Sequence, residues 1–154
     1  MSVFTKLNLG AHTRLHVLNA PASFVPVHQA LPDVTVHVTL GARDRTSWVI
    51  GFAITQAELD AMSTKIGRAA EGDAVVWIAY PKKSSKRYRC EFDRDSGWTV
   101  LGAAGFEPVR MVAIDEDWSA LRFRKAEHIK SLTRSADWAI SEVGKQKAGA
   151  ARKR

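Results

Sequence analysis

The sequence predicts an α/β fold: an open, mostly parallel, Rossmann-like sheet of about six strands, closed by a C-terminal antiparallel hairpin and covered by helices on both faces. Two observations carry that reading. Trp48 to Ile54 (WVIGFAI) and Ala74 to Tyr80 (AVVWIAY) are apolar on both faces, as buried parallel strands are. Between them, Thr55 to Ala70 has helical spacing of Leu59, Met62, Ile66 and Ala70, and a Thr55–Glu58 capping-box start. Strand–helix–strand in that order implies a parallel pair with a crossover helix.

The other elements follow along the chain. Arg14 to Ala20 reads as a first strand, with Leu15 and Val17 on one face and a turn at Asn19-Ala20-Pro21. Ala22 to Leu31 reads as one or two irregular helical turns around Pro26, ended by Pro32. Val34, Val36, Val38 and Leu40 alternate with Thr35, His37 and Thr39, a half-buried strand near a sheet edge. The link from Leu40 to Ser47 is short for a parallel crossover, so either it crosses as an extended loop or the second strand runs antiparallel to the third. Glu71-Gly72-Asp73 is expected to close the long helix. Lys82 to Arg89 is a polar, basic loop, and Asp93 to Ala104 a weaker helix weighed down by Gly97 and Gly102. Val109 to Ile114 is a strand, Asp115-Glu116-Asp117 a turn, and Ala120 to Arg124 an edge strand paired back as a hairpin. Trp118-Ser119 is expected to plug the sheet edge with the indole N–H bonded. Ser135 to Lys145 reads as a last helix.

Composition sets the class. A chain of 154 residues, 45% hydrophobic and 25% charged, is one ordinary globular domain. Residues 1–125 make the Rossmann-like domain, 126–143 a helical extension, and 144–154 a basic disordered tail. The net charge is +7, but Lys145, Lys147, Arg152, Lys153 and Arg154 supply five of those charges and leave +2 for the rest. The high pI of about 9.9 is therefore largely a property of the tail. A single cysteine, Cys90, excludes an internal disulfide and fits a reducing compartment. The start lacks a secretory pattern and no apolar run is long enough to cross a bilayer, so the expectation is a cytoplasmic protein with no membrane partner.

Several motifs in order resemble a bacterial family of domains of unknown function. They are Lys6 to Leu9, Leu18-Asn19-Ala20-Pro21, Tyr80-Pro81-Lys82 with Ser84-Ser85, and Ile114-Asp115 leading to Trp118-Ser119-x-Leu121-x-Phe123. The resemblance spans about Lys6 to Lys125 and implies a cut-down methyltransferase-like, Rossmann-type fold, not an activity. The sequence departs from the family at Lys86-Arg87-Tyr88-Arg89-Cys90, where an acidic or threonine-rich stretch is usual.

The residues narrow the chemistry. A nucleotide cofactor in such a fold needs a glycine-rich turn after the first strand. Here that turn is Asn19-Ala20-Pro21-Ala22-Ser23, Pro21 removes a donor, and no acidic ribose ligand follows the second strand. No conventional cofactor is expected. If a ligand binds, it lies at the carboxyl ends of the strands, between Asn19, Tyr80, Lys82, Lys83, Ser84 and Ser85, with lysines neutralising an anion and serines donating hydrogen bonds. The structural alternative is that Asn19 shapes a turn and Tyr80-Pro81 ends a strand. Lys86, Arg87, Tyr88 and Arg89 mix basic and aromatic groups, which with the tail gives nucleic-acid binding as the alternative partner to a small anionic ligand. Asp115 to Asp117 fit a turn better than an acid–base pair. The five histidines lack zinc-site spacing on a helix, Cys90 lacks an activating neighbour, and there is no nucleophile elbow. No residue set meets the needs of a reaction class, so whether the chain is an enzyme stays open.

Overall fold

A computed structural model describes residues 2–129. They form one six-stranded sheet in the order β2-β1-β3-β4-β6-β5. The strands are β1 (Arg14–Leu18), β2 (Thr35–His37), β3 (Thr46–Phe52), β4 (Ala70–Pro81), β5 (Phe106–Ala113) and β6 (Trp118–Lys125). The first four are mutually parallel, while β6 runs antiparallel to both β4 and β5. The helices are α1 (Val3–Lys6), α2 (Val25–Gln29), α3 (Gln56–Ala69) and α4 (Thr99–Ala103), and a short 3-10 turn spans Ala126–His128. The expected Ser135 helix and basic tail lie outside the described residues.

The two apolar segments are adjacent and parallel, with Trp48 to Phe52 registered on Val75 to Ala79. Their alternating side chains build two cores. Val49, Val76, Ile78 and Tyr80 face α3 and α4, packing on Leu59, Met62, Ile66 and Leu101. Trp48, Ile50, Phe52, Val75 and Trp77 face α1 and α2, packing on Phe4, Leu7 and Phe24. Strands buried on both faces need apolar side chains at every position, which is why these segments show no alternation. Both Trp48 Nε1 and Trp77 Nε1 donate to the Leu7 carbonyl, at 3.1 and 2.7 Å. That shared acceptor satisfies two buried indoles and fixes the chain just after α1 against the sheet.

The α3 start is the capping box read from the sequence. Thr55 Oγ1 accepts from Glu58 N, and the Glu58 carboxylate accepts from Thr55 N. The end of α3 differs. Ala70 is already extended and begins β4, so Glu71-Gly72-Asp73 belongs to the strand, at an irregularity in the β3–β4 pairing. Gly72 has φ +58° there, so it serves a strand distortion rather than a helix stop.

Four further expectations are corrected. The second strand shortens to three residues and leaves Val38 62% exposed. An outermost strand has one neighbour, and the chain departs early to cross back over β1 as an extended loop, with Leu40 buried in the α3-side core. The short helical stretch expected around Pro26 is α2, and the proline lies at its first turn, where its missing N–H costs nothing. The helix expected from Asp93 is only Thr99–Ala103. Asp93 Oδ1 instead accepts from Asp95 N and Ser96 Oγ, a local turn that outcompetes helix, and Gly97 follows at φ +97°. Finally, β6 is not an edge: it lies between β4 and β5, and β5 is outermost. Trp118 is buried as expected, at 3% exposure, but its Nε1 has no acceptor among the described residues. No helix among the described residues is long and apolar enough to cross a membrane.

Candidate groove at the carboxyl end of the sheet

Parallel strands β1, β3 and β4 end together at Leu18, Phe52 and Pro81, and antiparallel β6 starts beside them at Trp118. The chain reverses its direction of strand addition between β1 and β3, so the switch-point crevice of this sheet lies at Asn19 and Phe52. Asn19 and Tyr80 therefore end strands that are not adjacent, because β3 stands between β1 and β4.

At the crevice, Asn19 Nδ2 donates to the Phe52 carbonyl and to Glu58 Oε2, both at 2.9 Å. The Asn19 backbone sits at φ +59°, a conformation asparagine tolerates better than most residues. The same Glu58 carboxylate accepts from Ile54 N and Thr55 N at 3.0 Å. These bonds, led by the one from the Thr55 backbone, hold the Glu58 carboxyl below the usual carboxylate range against an opposing effect of burial. Asn19 thus ties the end of β1 to the end of β3 and the start of α3.

The open space is elsewhere. A cavity of about 640 Å³ lies beyond β4, and the 82–96 segment wraps it. Its floor is made by Tyr80 and Ser119, register partners on β4 and β6, with Met111 of β5 beside them. Tyr80 is 6% exposed, and among the described residues its hydroxyl donates only to the Met111 sulfur, at 3.4 Å. A thioether is a weak acceptor, and the Ser119 side chain beside it is buried, at 8% exposure. Burial pushes the Tyr80 phenol above its ordinary value, so it stays a protonated donor. Phe92 and Trp98 wall the tyrosine, at ring separations of 5.8 and 5.9 Å.

Four cationic side chains, Lys82, Lys83, Arg89 and Arg94, line the rim against the acids Glu91 and Asp93. Asp93 is held in its charged form chiefly by the Asp95 N–H and then the Ser96 hydroxyl. Local bonding shapes the loop. Ser85 Oγ donates to Asp117 Oδ1 at 2.9 Å and accepts from Arg87 N and Tyr88 N, while Lys82 N donates to the Asp117 carbonyl. Asp115 Oδ1 caps the same turn by accepting from Asp117 N and Trp118 N. Those carboxylates thus shape the turn.

The structure brings Tyr80, Lys82, Lys83 and Ser85 of the expected ligand set to this cavity, together with Tyr88 and Arg89. Asn19, Ser84, Lys86 and Arg87 do not line it; Ser84, Lys86 and Arg87 are exposed on the outer side of the loop. Tyr88 packs its ring 5.2 Å from that of Trp118. The sequence reading missed Ser119 and Arg94. The available signal for Ser119 was strand alternation, which puts it on the same face as Leu121 and Phe123. No histidine lines the cavity, and burial pushes the Cys90 thiol up. No cluster of metal-ligating side chains occurs among the described residues.

Neither a protein-family model nor a curated protein matches the chain. Solved structures do. A SAM-dependent methyltransferase from Aquifex aeolicus matches with a TM-score of 0.53 and 13% identity, over 80% of this chain and 87% of that one. The N-methyltransferase NodS from Bradyrhizobium japonicum, in complex with S-adenosyl-L-homocysteine, matches at 0.53 and 11%, over 80% and 84%. The magnesium protoporphyrin IX methyltransferase from Synechocystis with bound SAM matches at 0.51 and 14%, over 80% and 76%. At such identities the likeness shows the fold: this chain has a Rossmann-like, methyltransferase-like α/β fold.

Proposed function

We propose that this chain is a degenerate methyltransferase-like module that binds a small anionic, nucleotide-like ligand in the groove beyond β4. The observation that carries the reading is the floor: the buried Tyr80 hydroxyl with only a sulfur to bond, beside the Ser119 hydroxyl, beneath a rim of Lys82, Lys83, Arg89 and Arg94. Buried donors normally find good acceptors, and a ligand oxygen or ring nitrogen would supply one.

The matched fold implies S-adenosylmethionine, and the residues at the switch point do not fit it. Such a group needs close backbone approach after β1. Here Pro21 has no N–H, its carbonyl is taken by Phe24 N and Val25 N, and Asn19 spans the crevice to Phe52 and Glu58. No methyl-transfer step follows from this site. The same reading extends to the bacterial family of unknown function that the motifs resemble, and a cytoplasmic setting suits a free Cys90.

Isothermal titration of the full chain with AMP, ADP, S-adenosylmethionine and inorganic phosphate tests the proposal. Saturable binding of a nucleotide, weakened about tenfold or more by Tyr80→Phe with Ser119→Ala or by Lys82→Ala with Lys83→Ala, supports it. Flat titrations across the panel overturn it. Nucleic-acid binding through Lys86, Arg87, Tyr88, Arg89 and the tail has less support, because the Tyr88 ring is engaged with Trp118. A specific, salt-dependent affinity that survives removal of 144–154 would favour it instead.

A further inference from the structure

On the sheet face opposite the groove, Arg110 of β5 and Arg122 of β6 lie directly across from each other. Arg122 is in turn the register partner of Trp77 on β4, and the Arg110 guanidinium sits 5.4 Å from the centre of the Trp77 ring. Both arginines donate to one atom, Asn8 Oδ1: Arg110 Nη2 at 2.6 Å and Arg122 Nη1 at 3.1 Å. Arg110 Nη2 also reaches the Lys6 carbonyl at 2.7 Å. Asn8 is held at φ +61°, just past α1.

Like charges facing each other across an antiparallel pair are unfavourable, and a guanidinium offers five N–H donors in a rigid fork. Among the described residues the hydrogen-bond acceptors of the two forks are all neutral oxygens, and the Trp77 ring is the other contact of Arg110. Among the described residues no carboxylate pairs with either one; the nearby acid, Asp73, is bound to Arg124. Arg122 Nε is buried with no hydrogen-bond partner among the described residues. Burial first, then the charges of Arg124 and Arg110, disfavour the charged form of Arg122. A packing role explains the bond to the Lys6 carbonyl, which pins the turn after α1. It does not explain two guanidiniums gathered on one amide oxygen.

We propose that Arg110, Arg122 and Asn8 form a second anion site that takes a phosphoryl group, from free phosphate or from a phosphate monoester. Arg110 is exposed at the sheet edge and Asn8 is half-exposed, so the site opens to solvent. A bridging oxyanion would offset the mutual repulsion and occupy the spare donors of both forks.

Phosphate titration of the full chain at low ionic strength, read by calorimetry and by arginine Nε–Hε NMR shifts, tests the site. Arms with glycerol 3-phosphate and with chloride at matched ionic strength separate the two phosphoryl sources from general screening. Saturable shifts of Arg110 and Arg122, with Kd weakened about tenfold or more in Arg110→Gln and in Arg122→Gln, support the proposal. Arg110→Lys keeps the charge and the fold of the edge but loses the fork, and should weaken binding severalfold. The groove variant Lys82→Ala with Lys83→Ala should leave the Kd read from the Arg110 and Arg122 Nε–Hε shifts unchanged. Unaltered phosphate affinity in a natively folded Arg110→Gln protein overturns the inference, as do shifts that chloride reproduces. Phosphate binding lost only in the groove variant also overturns it, while leaving the groove proposal standing.

Discussion

Glu58→Ala is the most informative single perturbation of the switch point. The Glu58 carboxylate accepts from Ile54 N, Thr55 N and Asn19 Nδ2 at 2.9 to 3.0 Å, and from Thr55 Oγ1 at 3.3 Å. Losing the capping box costs about 1 kcal/mol, and losing the charge-assisted bond from Asn19 about 1 kcal/mol more, since water can reach the half-exposed site in part. The expected loss is about 2 kcal/mol, or about 4–8 °C in Tm for a domain of this size. Urea titration with unchanged m-value measures it. Asn19→Gly removes the amide without straining the positive-φ backbone, so a double-mutant cycle isolates the Asn19–Glu58 link, with a coupling of about 1 kcal/mol. The sign with pH is fixed: the folded carboxyl is lowered from 4.5, so its contribution is fully present above that value and is lost as pH falls through the folded pKa. Glu58→Ala should therefore flatten the acid limb of stability. A loss under about 0.5 kcal/mol, or zero coupling in the cycle, would refute the view that Asn19 ties the crevice shut.

Other expectations follow from packing and burial. A Cβ at Gly51 would lie 2.0 Å from Met62 Sδ, so Gly51→Ala should cost about 1–3 kcal/mol, and pairing it with Met62→Ala should cost clearly less than the two changes summed, as read by urea melts. His16 is lowered by burial and then by the charges of His37 and Arg14; its Nδ1 contacts Thr46 Oγ1, which itself donates to the Trp48 carbonyl. The unfolded imidazole takes up a proton first, so its effect on stability is flat above 6.5 and turns unfavourable as pH drops from 6.5 toward the folded value. Stability measured at pH 7.5 and 5 should thus differ more in the wild type than in His16→Asn; equal differences would discard the assignment. Burial raises the Cys90 thiol, so its reaction with a disulfide reagent at pH 8 should run about tenfold or more below that of the urea-unfolded chain, and equal rates would contradict its placement.

The local elements were legible because local physics decides them. Continuous apolar runs mark β3 and β4, and the Thr55–Glu58 spacing marks the start of α3. The basic loop after Tyr80 and the carboxylate turn before Trp118 also stand where the residues place them. The shortened α4 shows a local rule misjudged, since an Asp-x-x-Ser turn ahead of Gly97 competes with helix. The position of β6 inside the sheet was hidden by its alternating arginines, which resemble a solvent face until Asn8 and Asp73 arrive to receive them.

By itself, then, the order of amino acids determined the strand–helix–strand centre, the Rossmann-like class and the absence of a glycine-rich turn after the first strand. Only the tertiary structure decided which distant residues meet: Tyr80 with Ser119, Asn19 with Glu58, and Arg110 with Arg122. The reason is that periodicity reports which face a side chain takes, whereas strand order and register set its neighbour. Those depend on how the whole chain buries two cores at once.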